Sequence, residues 1–331
     1  MAFINQRIPL KIFYPLILRG MQVYTDINHL PPFKNAVITI GSFDGVHTGH
    51  MAIINELLRE AKMVAGNPVL ITFNPHPSQV ISGRPPVNIL STREEKLGLL
   101  EKAGVPYVVE VPFTMQFSEQ SAHEYIHQFL VKCFHPHTII IGYDHRFGKG
   151  RQGDYQLLEE EGKQAGFKVK EIPVHLLRSA AISSTRIREA LQKGEVEEAS
   201  QLLGHPYFFS GTVVRGNQLG RTLGYPTANL QVAGAGKLIP GNAVYAVECT
   251  LNKETDILQG MMNIGVRPTV DGSGRVIEVN LFHFNRDIYE QTLTVTIKRR
   301  LRWEKKFPSL EALKTQLAAD EQDAIRLFNP S

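Results

Sequence analysis

Ala36-Val-Ile-Thr-Ile-Gly-Ser-Phe-Asp-Gly-Val-His-Thr-Gly-His50 is the stretch whose reading decides the fold. Its apolar, β-branched run (Val37, Ile38, Ile40) predicts a buried strand. A glycine turn follows, then two histidines three residues apart where a helix begins. Met51, Ile54, Leu57, Leu58, Ala61 and Val64 recur at helical spacing, and Gly66-Asn67-Pro68 ends the run. A helix N-terminus at the carboxyl end of a parallel strand attracts anions, because free N–H groups and the helix dipole both favour negative charge. His47 and His50, at i and i+3, share a face, so both imidazoles are expected to reach one phosphate. That suits chemistry at the α-phosphate of a nucleoside triphosphate. The turn carries neither a Walker phosphate loop nor a Gly-x-Gly-x-x-Gly dinucleotide loop.

Outward from this stretch, strand and helix alternate from about residue 36 to 204. Strands are predicted at Val69–Phe73, Tyr107–Val111, Thr138–Ile141 and Phe167–Ile172. Ser91-Thr-Arg-Glu94 reads as a capping box opening a helix that ends at Gly104. Ser118 is expected to cap another helix running to about Phe134, and a third covers about Tyr155–Ala165. The alternation predicts an α/β, Rossmann-like parallel sheet with helices on both faces. Ligands of such sheets bind beyond the carboxyl ends of the strands. The His47/His50 turn sits there, and so do Phe73-Asn-Pro-His-Pro77 and Gly142-Tyr-Asp-His-Arg-Phe-Gly148. In Ile182-Ser-Ser-Thr-Arg-Ile-Arg188, Ser184 or Ser183 can cap a helix over residues 185–193, gathering N–H groups, hydroxyls and two guanidiniums.

Near Gly204-His205-Pro206 the pattern changes. Short alternating segments at Phe208–Val214, Ala243–Leu251, Gln259–Ile264, Val276–Phe284 and Leu293–Lys298 predict an antiparallel sheet or small barrel. One amphipathic helix, capped by Ser309, closes the chain. Gly216-Asn-Gln-Leu-Gly-Arg-Thr-Leu-Gly-Tyr-Pro-Thr-Ala-Asn229 is glycine-rich, and Thr227 and Asn229 point the same way if that segment is extended. Their oxygens suit magnesium.

A chain of 331 residues has room for two domains. The expected division is 1–20 as an extension, 21–204 as the α/β domain and 205–331 as the barrel. Residues 1–20 carry Arg7, Lys11 and a short apolar run broken by Pro9 and Pro15, with Met21 directly after; they read as a disordered extension or a mis-assigned start. The 43% hydrophobic and 21% charged fractions are those of a globular protein, and no apolar run reaches the roughly 18–20 residues a bilayer demands. A net charge of +4 fits phosphorylated substrates but is too small to argue for nucleic acid. Cys133 and Cys249 fall in different predicted domains and read as reduced thiols of a cytoplasmic protein.

The His47-x-Gly-His50 element resembles the mark of the nucleotidylyltransferase superfamily. The longer Gly41-to-His50 form is similar to that of bacterial bifunctional riboflavin kinase/FAD synthetases. Ile182–Arg188 resembles that superfamily's triphosphate-tail motif, and Gly220-Arg-Thr-Leu-Gly-Tyr-Pro-Thr-Ala-Asn229 resembles the riboflavin kinase motif. Asn263–Thr269 and Asp287-Ile-Tyr289 also match. The resemblance covers Met21 to the C-terminus. It implies an N-terminal domain that adenylylates FMN to FAD with release of pyrophosphate, and a C-terminal domain that phosphorylates riboflavin to FMN. ATP is the co-substrate and Mg2+ the cofactor, with no nucleic acid, membrane or obligate protein partner. It implies His47, His50, Arg188 and Glu278 as catalytic, the last as the kinase base. ATP and phosphate binding is implied for Gly41, Phe43, Asp44, Gly45, Gly49, Ser184, Thr185, Arg186, Gly220 and Arg221. Asn74, His76, Asp144 and Arg146 are implied for flavin, and Thr227 and Asn229 for the metal. Asn280, His283 and Glu290 depart from the family pattern, which has His, Asp and Gly there.

Two rival readings stay open on sequence alone. The altered second domain could bind flavin without phosphorylating it, or the barrel could be a flavin sensor or nucleic-acid module. The basic cluster Lys298-Arg-Arg-Leu-Arg302 is the main feature favouring nucleic acid.

Overall fold

The structure is a computed structural model that describes residues 16–18, 20–81, 87–172, 183–216, 219–232, 234, 236–252, 254–269 and 272–329. The stretch 1–15, the segment holding Ile182 and the pair Asn217-Gln218 lie outside the described residues. By packing, the chain divides into two compact units that interleave in sequence. One takes Met1–Ser42, Ala52–Arg84 and Gly98–Leu176; the other takes Phe43–Met51, Pro85–Leu97 and Leu177–Ser331.

The first unit is built on a seven-stranded sheet. Its strands are β1 (Leu16–Leu18), β2 (Met21–Tyr24), β3 (Val37–Ile40), β4 (Pro68–Asn74), β5 (Tyr107–Pro112), β6 (Thr138–Gly142) and β7 (Lys168–Ile172), in spatial order β1-β2-β5-β4-β3-β6-β7. Only the β1–β2 pair is antiparallel. Ile38 sits in register with Val69 on one side and Ile139 on the other, and all three are fully buried. This is why β3 has no polar alternation: a central parallel strand is covered on both faces. Phe129, Phe134 and Ile126 add the helical side of this core.

Four helical elements follow the order expected. They are α1 (Thr48–Met63), α2 (Arg93–Lys102), a long segment running through Ala122–Glu124, Tyr125–Val131 and Lys132–Phe134, and α3 (Tyr155–Ala165). Two caps differ from expectation. The box at α2 is Thr92 with Glu95, because the Ser91 hydroxyl is engaged elsewhere. The long segment is capped by Ser121 with Glu124, not by Ser118, which closes a separate short turn at Met115–Ser118 that Thr114 caps. In the middle of that segment the helix widens to π geometry over Tyr125–Val131.

The second unit holds a closed six-stranded antiparallel barrel of β8 (Phe208–Val214), β9 (Ala228–Val232), β10 (Ala243–Leu251), β11 (Leu258–Thr269), β12 (Gly272–Leu281) and β13 (Thr292–Trp303), in order β10-β11-β12-β9-β8-β13. Closure leaves no exposed sheet edge. Leu293, Val295 and Ile297 alternate into its core at 0% exposure, beside Val247, Met262 and Ile264. Helices α4 (Ser184–Gln192) and α5 (Val196–Leu203) add Ile187, Leu191 and Val196 to the same core. The last helix, α6 (Leu310–Phe328), lies on the outer wall, where Ala324 meets Ala246, Met261 and Phe282. Arg302 on β13 ties it down with a bidentate pair to the buried Asp320.

The basic cluster is therefore not a free cationic strip. Lys298 pairs with Glu248, Arg299 with Glu197 and Arg302 with Asp320, while Arg300 donates to the Gly194 carbonyl. Both cysteines are unpaired, and burial raises the Cys249 thiol pKa above its usual range. Among the described residues, no helix is long and apolar enough to cross a membrane.

Candidate active sites

The chain leaves β3 with the Gly41 amide donating to the Ile71 carbonyl, then turns sharply through Phe43, Gly45 and Val46, all at positive φ. Gly45 has two reasons to be glycine. Its φ is +77°, and a Cβ there would lie 3.0 Å from the Leu90 side chain. Asp44 is buried beneath the turn. It accepts from the Leu90 and Ser91 amides at 2.9 and 3.0 Å, from the Ser91 hydroxyl at 3.2 Å and from Arg188 Nη2 at 2.6 Å. Ser91 Oγ also accepts from the Gly45 amide, and the His205 ring meets the Gly45 carbonyl at 3.0 Å.

The turn delivers His47 to the N-cap of α1. Its Nδ1 accepts from the His50 amide at 3.3 Å, which leaves the ring hydrogen on Nε2. The His47 and His50 rings stack 3.6 Å apart, and Phe43 flanks His50 at 5.0 Å. Gly49 makes this stacking possible: a Cβ would stand 3.2 Å from Cε1 and Nδ1 of His47. Burial pushes the His47 pKa down to about 4 and that of His50 well below its usual value, so both rings are neutral at pH 7. Nδ1 of His50 is buried without a hydrogen-bond partner. Neutral stacked rings at a helix start offer N–H donors to an anion, alongside the first-turn amides of α1.

The second phosphate motif is in the same unit. Ser183, not Ser184, caps α4 by accepting from the Arg186 amide. Ser184 and Thr185 are the first two helical residues. Arg186 pairs with Glu198 at 2.7 Å on the surface. Arg188 is 9% exposed, with Nη2 on Asp44 and Nε donating to the Asn88 carbonyl at 2.7 Å. Its guanidinium thus braces the turn from behind.

In the barrel, strand register brings together residues distant in sequence. Glu278 on β12 pairs directly with Asn229 on β9 and with Asn263 on β11. Glu278, Asn280 and Thr227 line a cavity of about 230 Å3 whose walls include Tyr225, Phe307 and Leu317. Thr227 also lines a second cavity, of about 430 Å3, with Arg221, Arg286 and Tyr289. Glycines shape the segment between them. A Cβ on Gly220 would overlap the Tyr225 carbonyl, and one on Gly216 would overlap the Asn229 amide. The departures from the family pattern are accommodated locally. Asn280 donates to the Pro226 carbonyl at 2.8 Å, supporting the glycine-rich segment. His283 and Glu290 occupy exposed turns at φ +53° and +65°. The side chains of Asn263, Tyr225, Phe307 and Leu317 line the smaller cavity but were not nominated from sequence. Asn263 opens a quoted motif and Tyr225 lies within another; Phe307 and Leu317 join the wall only once the barrel and its last helix are packed.

In the first unit, Asn74 ends β4, and its carbonyl accepts from the Phe113 amide. His76 Nδ1 accepts from the Ser78 amide. Asp144 and Arg146 are exposed, and Arg146 pairs with Asp154 at 2.8 Å. None of these four lines the cavity of about 600 Å3 that opens in this unit beyond β2 and β5, among Asp26, Asn28, Gln116, Glu119 and Gln128.

Comparison with known proteins finds a family for each half of the chain. A family model for FAD synthetase matches residues 31–186, and one for riboflavin kinase matches 203–328. A bifunctional riboflavin kinase/FMN adenylyltransferase of Haemophilus influenzae is 38% identical over 89% of this chain and 95% of its own. That of Listeria monocytogenes is 40% identical over 89% and 93%. A crystal structure from Streptococcus pneumoniae, titled a macrolide-efflux protein, superposes with a TM-score of 0.80 at 30% identity, over 92% of this chain and 99% of its own.

Proposed function

This chain belongs to the bifunctional riboflavin kinase/FMN adenylyltransferase family, and we propose how its residues divide the two reactions. One reaction phosphorylates riboflavin with ATP; the other transfers the adenylyl group of ATP to FMN.

For the kinase, the smaller cavity takes the flavin, because its apolar side chains match an aromatic ring system. The larger, with Arg221 and Arg286, takes the nucleotide phosphates. Thr227 lines both, which puts the transferred phosphoryl group beside it. Glu278 accepts the proton of the ribityl hydroxyl as its oxygen attacks the γ-phosphorus, and ADP departs. Gly220 and its neighbours let backbone amides approach the phosphates. Thr227 and Asn229 offer neutral oxygens, a donor set that fits Mg2+ sharing its shell with water and nucleotide phosphates. When bound, that ion would neutralise phosphate charge.

For adenylyl transfer, the FMN phosphate is itself the nucleophile and attacks the α-phosphorus in line, with pyrophosphate leaving. His47 and His50 donate through their N–H groups to the charge that develops, aided by the α1 amides. Phosphate oxygens close to the rings would raise their pKa values toward the protonated state. Ser184 and Thr185 hold the triphosphate tail from the start of α4. Arg188 acts as a positioning residue, fixing Asp44 and through it the turn. Asn74, His76, Asp144 and Arg146 serve the flavin. Two unpaired thiols accord with a reducing, cytoplasmic setting.

The observation that supports this reading is the register of Glu278 against Asn229, with Glu278 and Thr227 on the wall of one cavity. The experiment follows riboflavin, FMN and FAD over time with MgATP. Glu278→Gln is expected to lose FMN formation yet still convert supplied FMN to FAD, and His50→Ala to do the reverse. Kinase activity surviving in Glu278→Gln would refute the assignment of the base.

A further inference from the structure

Among the described residues, one cluster of potential metal ligands belongs to neither reaction: His123, His127 and Glu161. His123 lies in the first turn of the long helical segment, His127 one turn on in its π-widened part, and Glu161 faces them from α3. The two rings lie 4.2 Å apart and tilted by 34°. His127 Nε2 is 2.7 Å from Glu161 Oε2, and all three ligand atoms fall within 4.8 Å of one another.

We propose that His123, His127 and Glu161 form a binding site for a borderline divalent transition metal such as Zn2+. Two imidazole nitrogens and one carboxylate oxygen are the donor set such ions select, whereas Mg2+ prefers oxygen throughout. Metal–ligand bonds of about 2.0–2.1 Å in a tetrahedral array place ligands roughly 3.3 Å apart. The His127–Glu161 separation of 2.7 Å and the 4.8 Å limit on the others are within reach of that value after modest side-chain adjustment. His123 is exposed and free to turn, while His127 and Glu161 are held at 29% and 15% side-chain exposure. π segments recur at functional sites because the extra residue re-aims the side chains that follow it.

Such an ion would cross-link two helices that bracket the loop carrying Asp144 and Arg146. Tyr125 of the first helix stacks on Phe147 at 5.1 Å, and Asp154, the N-cap of α3, pairs with Arg146. Metal binding is therefore expected to stiffen that loop and raise the melting temperature.

The test is calorimetric titration of the full chain with Zn2+ in buffer containing excess Mg2+ and no nucleotide, alongside X-ray absorption of the loaded protein. The expected result is saturable binding of one ion, with two imidazoles and a carboxylate at about 2.0 Å. His123→Ala, on an exposed position, should weaken binding by more than the roughly 10–100-fold that losing a mere supporting group costs. Glu161→Gln should do the same and abolish the zinc-induced rise in melting temperature. Absence of saturable binding, or binding unchanged in both variants, would overturn the proposal and leave His127–Glu161 as a plain ion pair.

Discussion

The histidine turn and the barrel pocket, to which we assign the two phosphate-handling reactions, are built by opposite means. The turn is rigid before any ligand arrives. Asp44 is saturated by backbone amides, a hydroxyl and Arg188, and the His47 ring that follows it is buried and neutral. The barrel pocket keeps its carboxylate on the wall of an open cavity, its parts brought together by strand register and by glycine-shaped close approach. Adenylyl transfer needs donors fixed around a crowded α-phosphorus, whereas the kinase needs a base that can meet a hydroxyl on a flexible chain. Pre-paired burial suits the first task and register suits the second.

The contrast can be broken most sharply at the reacting groups. Glu278→Gln is expected to lower FMN formation about 10²–10⁴-fold, and His50→Ala to lower FAD formation from FMN about 10²–10³-fold, each sparing the other activity in initial-rate assays. Comparable losses in both activities from either change would merge the two regions into one.

Next in size is the brace. Asp44→Ala leaves Arg188 buried without its partner and should destabilise the second unit by about 3–5 kcal/mol, read as a drop in the urea midpoint. An equally large loss from Arg286→Ala, an exposed residue in the barrel pocket, would erase the distinction between rigid and open sites.

Acid should expose the same difference. His47 and His50 are neutral when folded but titrate near 6.5 when unfolded, so protons favour the unfolded state below that value. Stability should fall as pH drops from about 6.5 and level off only below about 4, with His47 alone accounting for about 3 kcal/mol. Replacing His47 with Gln should flatten that slope in denaturation measured across the window; an unchanged slope would mean the ring is hydrated.

Subtler is Gly49→Ala. Alanine favours a helix by about 1 kcal/mol, yet its Cβ presses on the His47 ring. Adenylylation should fall while the melting temperature holds or rises, a split that a merely conformational glycine would not give. Smallest is Glu290→Gly in the barrel, which relieves a left-handed φ of +65° worth about 1 kcal/mol and should leave both activities intact.

Most of this fold was legible because its signals are local. β8 and β10 begin and end where their alternation does, and α3 runs as its periodicity and Asp154 cap dictate. Displaced details have long-range causes. Ser91 is absent from the α2 capping box because its hydroxyl holds Asp44, a residue far away in sequence. Short strands such as β2 and β9 carry too few residues to show a period and take their form from their neighbours. The site was legible as motifs but not as roles. Nothing in Ile-Ser-Ser-Thr-Arg-Ile-Arg tells that Arg188 points back at Asp44 while Arg186 reaches Glu198. The charges at 298–302 likewise look cationic until their partners on neighbouring elements come into view.

The central claim is that two chemically independent sites act in turn on one flavin. It is tested most directly by mixing Glu278→Gln and His50→Ala proteins with riboflavin and MgATP and measuring FAD. Neither variant alone should make FAD, while the mixture should, with FMN released by one serving the other. A mixture as inactive as its components, despite each retaining its single reaction, would contradict the account.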